Sequence, residues 1–412
     1  MKRVVLLSAV TATILSAGGD ILPVEPSVTA PASADFWGQI GFFYQAEDFD
    51  NANIKGVSNP DFGDKINNWF NATLVLGVDK QLGGGFGFGA EVAGWTDFGL
   101  DIGDRALFAS SARLIADWTD QTSAEVSQAY LTFVAGNTAI KAGRQALPKA
   151  ISPWAWSDRT AGVIDISYDG VVLANTDLQD TTLVAAWIDQ GVVDSYFGSN
   201  DVSDDAGLFM LAIMNKSIEN TTLSASAYYV PSNNFTQKED SWSIWASSEG
   251  NYGGVDAGAQ FVYVDGDVAG YDATYAASVK LGSRWGDFDA NMVAGYINDG
   301  DYSMLTAGSG IGTSAFWTYN GDFGGEIVDD NVWSVGVGAG YRMPVGKIFG
   351  NIGYWDADDN ARFDTAYDAI AGYKFSLAGV DSKIEYRYLK KEGTVKGDKE
   401  RQRVRVEAYY KF

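Results

Sequence analysis

The stretch KIEYRYLK places Lys383, Glu385 and Arg387 at every second position, and the chain ends in RVRVEAYYKF, with Arg403, Arg405 and Glu407 spaced the same way. Lys141, Arg144, Lys280 and Lys374 sit in runs of similar pattern. The chain has no His and no Cys. That removes the commonest general base and metal ligand, and every thiolate nucleophile. Ser-His-Asp hydrolysis is excluded with them. No acid/base pair is recognisable elsewhere, so no enzyme is expected. Charges at period two line one face of a strand, where their work is to set a field rather than to break a bond.

Two other groups of residues invite a chemical reading. Asp356-Ala357-Asp358-Asp359-Asn360 partly follows a calcium loop, but Ala361 stands where Gly is needed and Tyr367 where the closing acid belongs. Asp299, Asp301, Asp329 and Asp330 are spaced loosely. The expectation is no cofactor, with a loosely bound divalent cation such as Ca2+ as the one allowance at Asp299, Asp301, Asp356 and Asp358. The GGGFGFG stretch at residues 83–89 lacks the Lys-Ser/Thr ending of a phosphate loop and reads as a tight hairpin turn.

The elements that position these charges follow from periodicity. In VRVEAYYKF, Val404, Val406, Ala408, Tyr410 and Phe412 share one face, against Arg403, Arg405 and Glu407. Ile384, Tyr386 and Tyr388 stand opposite Lys383, Glu385 and Arg387. YDATYAASVKL and AYDAIAGYKFSL alternate likewise, and helical spacing fits none of them. The apolar face is rich in Tyr, Phe and Ala, while the other face reads as small and polar.

About eighteen such strands can be counted, centred between residue 41 and residue 407. Their joins sort by length. KQLGGG, NTDLQD, KSIEN, EGNYGG, GSRWGD, MPVGK and LAG are short, and most of the joins between them are longer, notably 98–124, 145–161 and 298–330. The fold class is therefore all-β: a transmembrane antiparallel β-barrel with short periplasmic turns and long extracellular loops. Arg403 and Arg405 would face a watery lumen and Val404 and Val406 lipid, because a lipid-facing charge at mid-membrane costs roughly 2–4 kcal/mol.

Composition agrees. The chain has 412 residues, 53 acidic against 29 basic, and a net charge of −24. So acidic a chain repels phosphate backbones, and no nucleic-acid partner is expected. Lys2 and Arg3, then the apolar run Val4–Ala17, read as an export signal, too short for the roughly twenty residues of a spanning helix. Cleavage fits residue 17 or 18 best, although Ala32-Ser33-Ala34 also suits. The organisation is a signal peptide over 1–17, a Pro-rich lead-in over 18–35 and a barrel over 36–412. Removing Lys2 and Arg3 leaves 27 basic residues against 53 acidic.

Two stretches resemble known sequences. Tyr409-Tyr410-Lys411-Phe412 is similar to the terminal signature read by barrel assembly machinery, with Tyr410 and Phe412 as its carriers. SQAYLTFVAGNTAIKAGRQALPKAISPWAWSDR, residues 127–159, resembles the fourth and fifth strands and third loop of OprD-like porins, including the major outer-membrane porins of epsilonproteobacteria. The nearest parts are Ala129-Tyr130-Leu131 and Lys141-Ala142-Gly143-Arg144-Gln145. The resemblance implies an eighteen-strand barrel in a bacterial outer membrane. It also implies that the loop after Gln145 folds inward and narrows the pore. Pro148, Pro153, Trp154 and Trp156 suit an ordered loop, and Lys149, Asp158 and Arg159 become candidate constriction charges. Lys141, Arg144, Lys280, Lys374, Lys383, Glu385, Arg387, Arg403 and Arg405 become candidate pore lining. Homotrimers, outer-membrane lipid, lipopolysaccharide and the assembly machinery are the implied partners.

The expected function is passive diffusion of ions and small hydrophilic solutes, with cations preferred because acids at a mouth concentrate them. One alternative is a carboxylate channel with a basic ladder. Another is an adhesin or structural barrel acting through the 298–330 loop, with Phe316, Trp317 and Tyr319. The eighth strand, AGLFMLAIM, is apolar on both faces, which suits either a subunit contact or a loop packed inside.

Overall fold

The computed structural model describes residues 34–50, 68–96, 123–148, 150–153, 167–192, 207–231, 240–265, 273–298, 331–358, 363–394 and 397–412, with short pieces of the intervening loops. Residues 1–33, where an export signal and most of a lead-in are expected, lie outside the described residues.

Eighteen long strands follow one another in chain order. The first nine are β1 (Asp35–Asp50), β2 (Asn68–Gly83), β3 (Phe86–Thr96), β4 (Ser123–Ala135), β5 (Thr138–Gln145), β6 (Ser167–Asn175), β7 (Thr181–Val192), β8 (Leu208–Asn215) and β9 (Thr221–Val230). The rest are β10 (Ser241–Tyr252), β11 (Val255–Asp265), β12 (Thr274–Trp285), β13 (Phe288–Ile297), β14 (Val332–Met343), β15 (Gly346–Asp356), β16 (Thr365–Leu377), β17 (Val380–Glu392) and β18 (Lys399–Lys411). Each pairs antiparallel with its sequence neighbours, and β1 also pairs with β18, so the sheet closes on itself. Closure leaves no edge, and every strand in the wall has a partner on both sides. Each strand centre read from the sequence falls inside one of these elements.

Turns on one rim are tight. β2–β3, β10–β11 and β16–β17 are each joined by two residues, all in the left-handed region: Gly84 and Gly85, Gly253 and Gly254, Ala378 and Gly379. This is the hairpin turn whose twist matches that of the strands it joins. Ala378 takes φ 53° without being glycine, a small local strain. The opposite rim carries the long joins, such as Asp50 to Asn68, Thr96 to Ser123 and Ile297 to Val332.

The barrel's two faces obey period two. On the outside, Leu76, Leu211, Val279, Val337, Ile352 and Ile384 are exposed. Rings flank this band. Trp333, Tyr354 and Tyr367 meet near the long-loop ends of β14–β16, with centroids 5.3 and 5.2 Å apart. Trp285–Phe288, Tyr373–Phe375 and Tyr410–Phe412 do so at the short-turn rim. An apolar band between two aromatic girdles is the exterior a bilayer requires. Among the described residues no helix is long and apolar enough to cross a membrane; the strands do the crossing.

The end of the chain closes the ring. Gly38 N–H donates to the Phe412 carbonyl at 2.8 Å, and Phe412 N–H donates back to Gly38 at 3.0 Å. The Phe412 ring lies where a Gly38 side chain would stand, 2.5 Å from its Cβ position. Removing Phe412 takes away two closing hydrogen bonds, each worth about 1 kcal/mol. Gly38→Leu displaces the ring without touching the terminus. Both variants should reduce the heat-modifiable folded band on a detergent gel, and an undiminished band in Gly38→Leu would show that the ring has no part in closure.

Candidate functional site: the barrel lumen

Inward-facing positions divide the lumen into two unlike walls. On β6–β12 the inner face carries a buried apolar cluster among small polar residues such as Ser226, Ser243 and Ser278. Tyr168, Val172, Met210, Tyr228, Trp245 and Val262 belong to one buried cluster. Leu147 and Ile151, from the loop after β5, are members of it. The described part of that loop, residues 146–148 and 150–153, therefore turns into the barrel. β8 resolves its two-sided apolarity in the same way: Leu208, Met210, Ala212 and Met214 are buried inside, and Phe209, Leu211 and Ile213 face outward. The reading of the inner face as small and polar holds only in part, because a packed apolar cluster stands among the polar residues of this half. A cavity of about 470 Å³ lies between Ala150, Ile151 and Pro153 of the loop and wall residues that include Ser226 and Trp245. Lys216, in the turn after β8, lines its end, and burial pushes its ammonium below the ordinary lysine range.

The opposite wall, β16–β18 with β1, is a ladder of charge. Arg387 makes a two-pronged pair with Asp368, Nε to Oδ1 at 3.0 Å and Nη2 to Oδ2 at 2.5 Å. Arg401 reaches across the closing seam to Glu47 at 2.6 Å, and Gln45 donates to the same carboxylate at 2.7 Å. Arg403 meets Glu385 at 3.4 Å. Arg405 donates to Gln45 at 2.9 and 2.8 Å and lies 3.7 Å from Glu407. Lys383 sits between Glu407 at 3.0 Å and Glu385 at 3.7 Å. Arg387 and Arg403 are directly opposite in register, so each arginine's own carboxylate offsets the repulsion that like charges would otherwise suffer there.

The remaining candidates are placed as follows. Lys141 is buried on the inner face, with its ammonium 3.7 Å from the centre of the Tyr130 ring. Lys280 pairs with Glu249 at 2.5 Å. Lys374 lies over the Phe349 ring at 5.1 Å. Arg144 is a correction. It stands in register with Ala129 and Asp169, one step from the outward Leu131 and Val171. It is therefore on the outer face near the loop rim, paired with Asp169 at 3.1 Å, and does not line the pore. Lys149 and Asp158 lie outside the described residues, and of Arg159 only the backbone is described, paired with Asp165. Asp299, Asp301, Asp329 and Asp330 also lie outside. Asp356 accepts from the Trp333 indole at 2.9 Å, Asp358 is exposed, and among the described residues no group of three potential ligands could hold a metal ion. Gln45, Glu47, Asp368 and Arg401 were not singled out from the sequence. Period two marks them as inward, but their pairing needs the register between strands.

No family model matches the chain, and no curated protein does. Solved structures do. It is similar over 92% of its length to Pseudomonas aeruginosa OccK8 (OprE), with 98% of that chain covered, 12% identity and a TM-score of 0.66. Acinetobacter baumannii OccAB1 matches with 97% covered, 13% identity and a TM-score of 0.66. The outer membrane protein opdK of Pseudomonas aeruginosa matches with 99% covered, 13% identity and 0.64. The chain folds as an OprD-like barrel. At this identity the likeness is one of architecture: strand number, closure and near-complete coverage. The OprD-like barrel, with its apolar band and paired girdles, is an integral outer-membrane structure.

Proposed function

We propose that this OprD-like barrel is an outer-membrane porin, a water-filled channel for passive diffusion of ions and small hydrophilic solutes, and not an enzyme. The observation that carries this is the ladder of ion pairs on the inside of a closed barrel whose outside is apolar. Charge concentrated on the inner wall of a transmembrane tube has solute passage as its use.

Cation preference is the finer part of the proposal. The chain carries a net −24, and Arg387, Arg401 and Arg403 each hold a carboxylate. The wall is thus less cationic than its arginine count suggests, which weighs against the carboxylate channel. The proposal extends to partners: lipid and lipopolysaccharide around the girdles, assembly machinery at Tyr410 and Phe412, and two further copies in a homotrimer, with a divalent cation at most loosely held.

Reversal potential in a planar bilayer under a KCl gradient tests this reading. A steady conductance with cation-selective reversal is expected, weakening as salt approaches molar. Anion-selective reversal would favour the carboxylate channel. A folded barrel without conductance would overturn the porin and leave the long loops as the functional part.

A further inference from the structure

At the short-turn end of the lumen, four cations stand side by side on neighbouring strands. Arg342 of β14 is in register with Lys347 of β15, Lys347 with Lys374 of β16, and Lys374 with Lys383 of β17; Lys383 then faces Glu407 of β18. All are inward by alternation, since Tyr341, Ile348 and Ile384 beside them are exposed outside. Like charges directly opposite each other on paired strands destabilise a sheet. Higher on the same wall each arginine is offset by its own acid or amide. Here the offset is incomplete. Lys347 crosses to Asp289 at 2.8 Å, over Gly340, whose missing side chain leaves room for the lysine stem. Lys383 is held by Glu407 and Glu385. Among the described residues, Lys374 has the Phe349 ring and no carboxylate within ion-pair distance, and Arg342 has no carboxylate partner either. All four line one cavity of about 750 Å³, whose acids are Asp381 and Glu407.

We propose that this row is a binding site for multivalent oxyanions, of the phosphate and pyrophosphate class, at the periplasmic mouth of the channel. The planar guanidinium of Arg342 and the ammonium of Lys374 supply charge-assisted donors to such a group. Two such cations on either side of Lys347 favour a dianion over chloride. Phe349 holds Lys374 from below, and Gly372 leaves room for that ring, which lies 2.4 Å from a Cβ placed there. An occupied site inverts the local field and impedes anions entering from the periplasmic side.

The inference rests on the channel reading, and one experiment separates the two. Single channels are recorded in KCl while pyrophosphate is added to each chamber in turn. Because the chain has no Cys, a cysteine at Val345, in the turn beside Arg342, reports through an impermeant maleimide which chamber faces the short turns. Pyrophosphate is expected to block from that side only. Lys374→Gln and, separately, Arg342→Gln should each raise the half-blocking concentration about tenfold, the loss of one charged hydrogen bond, in channels that still conduct KCl. Two independent variants guard against one failing to fold. Normal conductance without sided block, or block unchanged in a conducting variant, overturns the site and spares the porin. No conductance at all overturns both.

Discussion

Val279→Arg is expected to abolish assembly of the barrel, while the native charge one residue further, Lys280, is carried without cost. Val279 lies mid-way along β12, is 52% exposed on the outer face, and stands in register with Ala259 and Ala294. An arginine there sits in hydrocarbon, at roughly 2–4 kcal/mol near the midplane. It cannot escape by shifting the strand, because a one-residue slip would turn Tyr275, Ala277 and Leu281 inward and Thr274, Ser278 and Lys280 out to lipid. Snorkelling would have to carry the guanidinium past half the apolar band. Against a total stability of about 5–15 kcal/mol, such a loss is large, and it acts during insertion, when the barrel is least committed. Urea unfolding in lipid vesicles, with heat-modifiable gel migration as a second readout, measures it. Lys280→Leu should leave the barrel folded, although it removes the ion pair with Glu249. Equal tolerance of both changes would mean that the outer face of β12 does not meet lipid.

That contrast explains how much of the molecule could be read from residue types. A closed barrel has one rule per strand, alternation, and one rule per rim, loop length. Both are local, so strand number, turn placement and the outward set on β12, β17 and β18 follow from the sequence. Arg144 shows what happens when the rule is not applied to its end. It stands three positions after Lys141, an odd step, so the two cannot share a face in a regular strand. Gly143, at φ 119°, disturbs the local ladder without reversing that parity.

Packing inside the barrel was less legible, for a different reason. The inner apolarity of β8 is meaningful only beside Leu147 and Ile151, which arrive from a loop more than fifty residues earlier. An apolar strand facing a loop and an apolar strand facing another subunit have the same composition. Likewise the Arg401–Glu47 pair spans 354 residues of sequence and exists only because β18 pairs with β1. Single-strand periodicity says that both residues point inward. It does not give the register that brings them to 2.6 Å. Cross-strand register is also what turns four separate inward cations into the row at the periplasmic mouth.

Register makes the Asp368–Arg387 pair the most costly interaction to break on the charged wall. The two side chains are 2% and 1% exposed, and they share two hydrogen bonds. Asp368→Ala leaves a guanidinium buried beside Arg403, its cross-strand neighbour, with the carboxylate that offset their repulsion gone. Removing one partner of a buried pair typically costs about 3–5 kcal/mol, and a wet lumen places the expected loss toward the lower end of that range. Arg387→Met alone is expected to cost less, because Arg403, the cross-strand neighbour of Arg387, remains near Asp368 to offset its charge. The double variant Asp368→Ala/Arg387→Met should recover most of the loss, since replacing both charges removes the desolvation penalty along with the attraction. Urea midpoints of the four proteins in vesicles close this cycle. Additive losses would mean that the two residues do not act on each other. A recovered double variant with altered ion selectivity would show that the pair serves the field of the lumen rather than the stability of the wall.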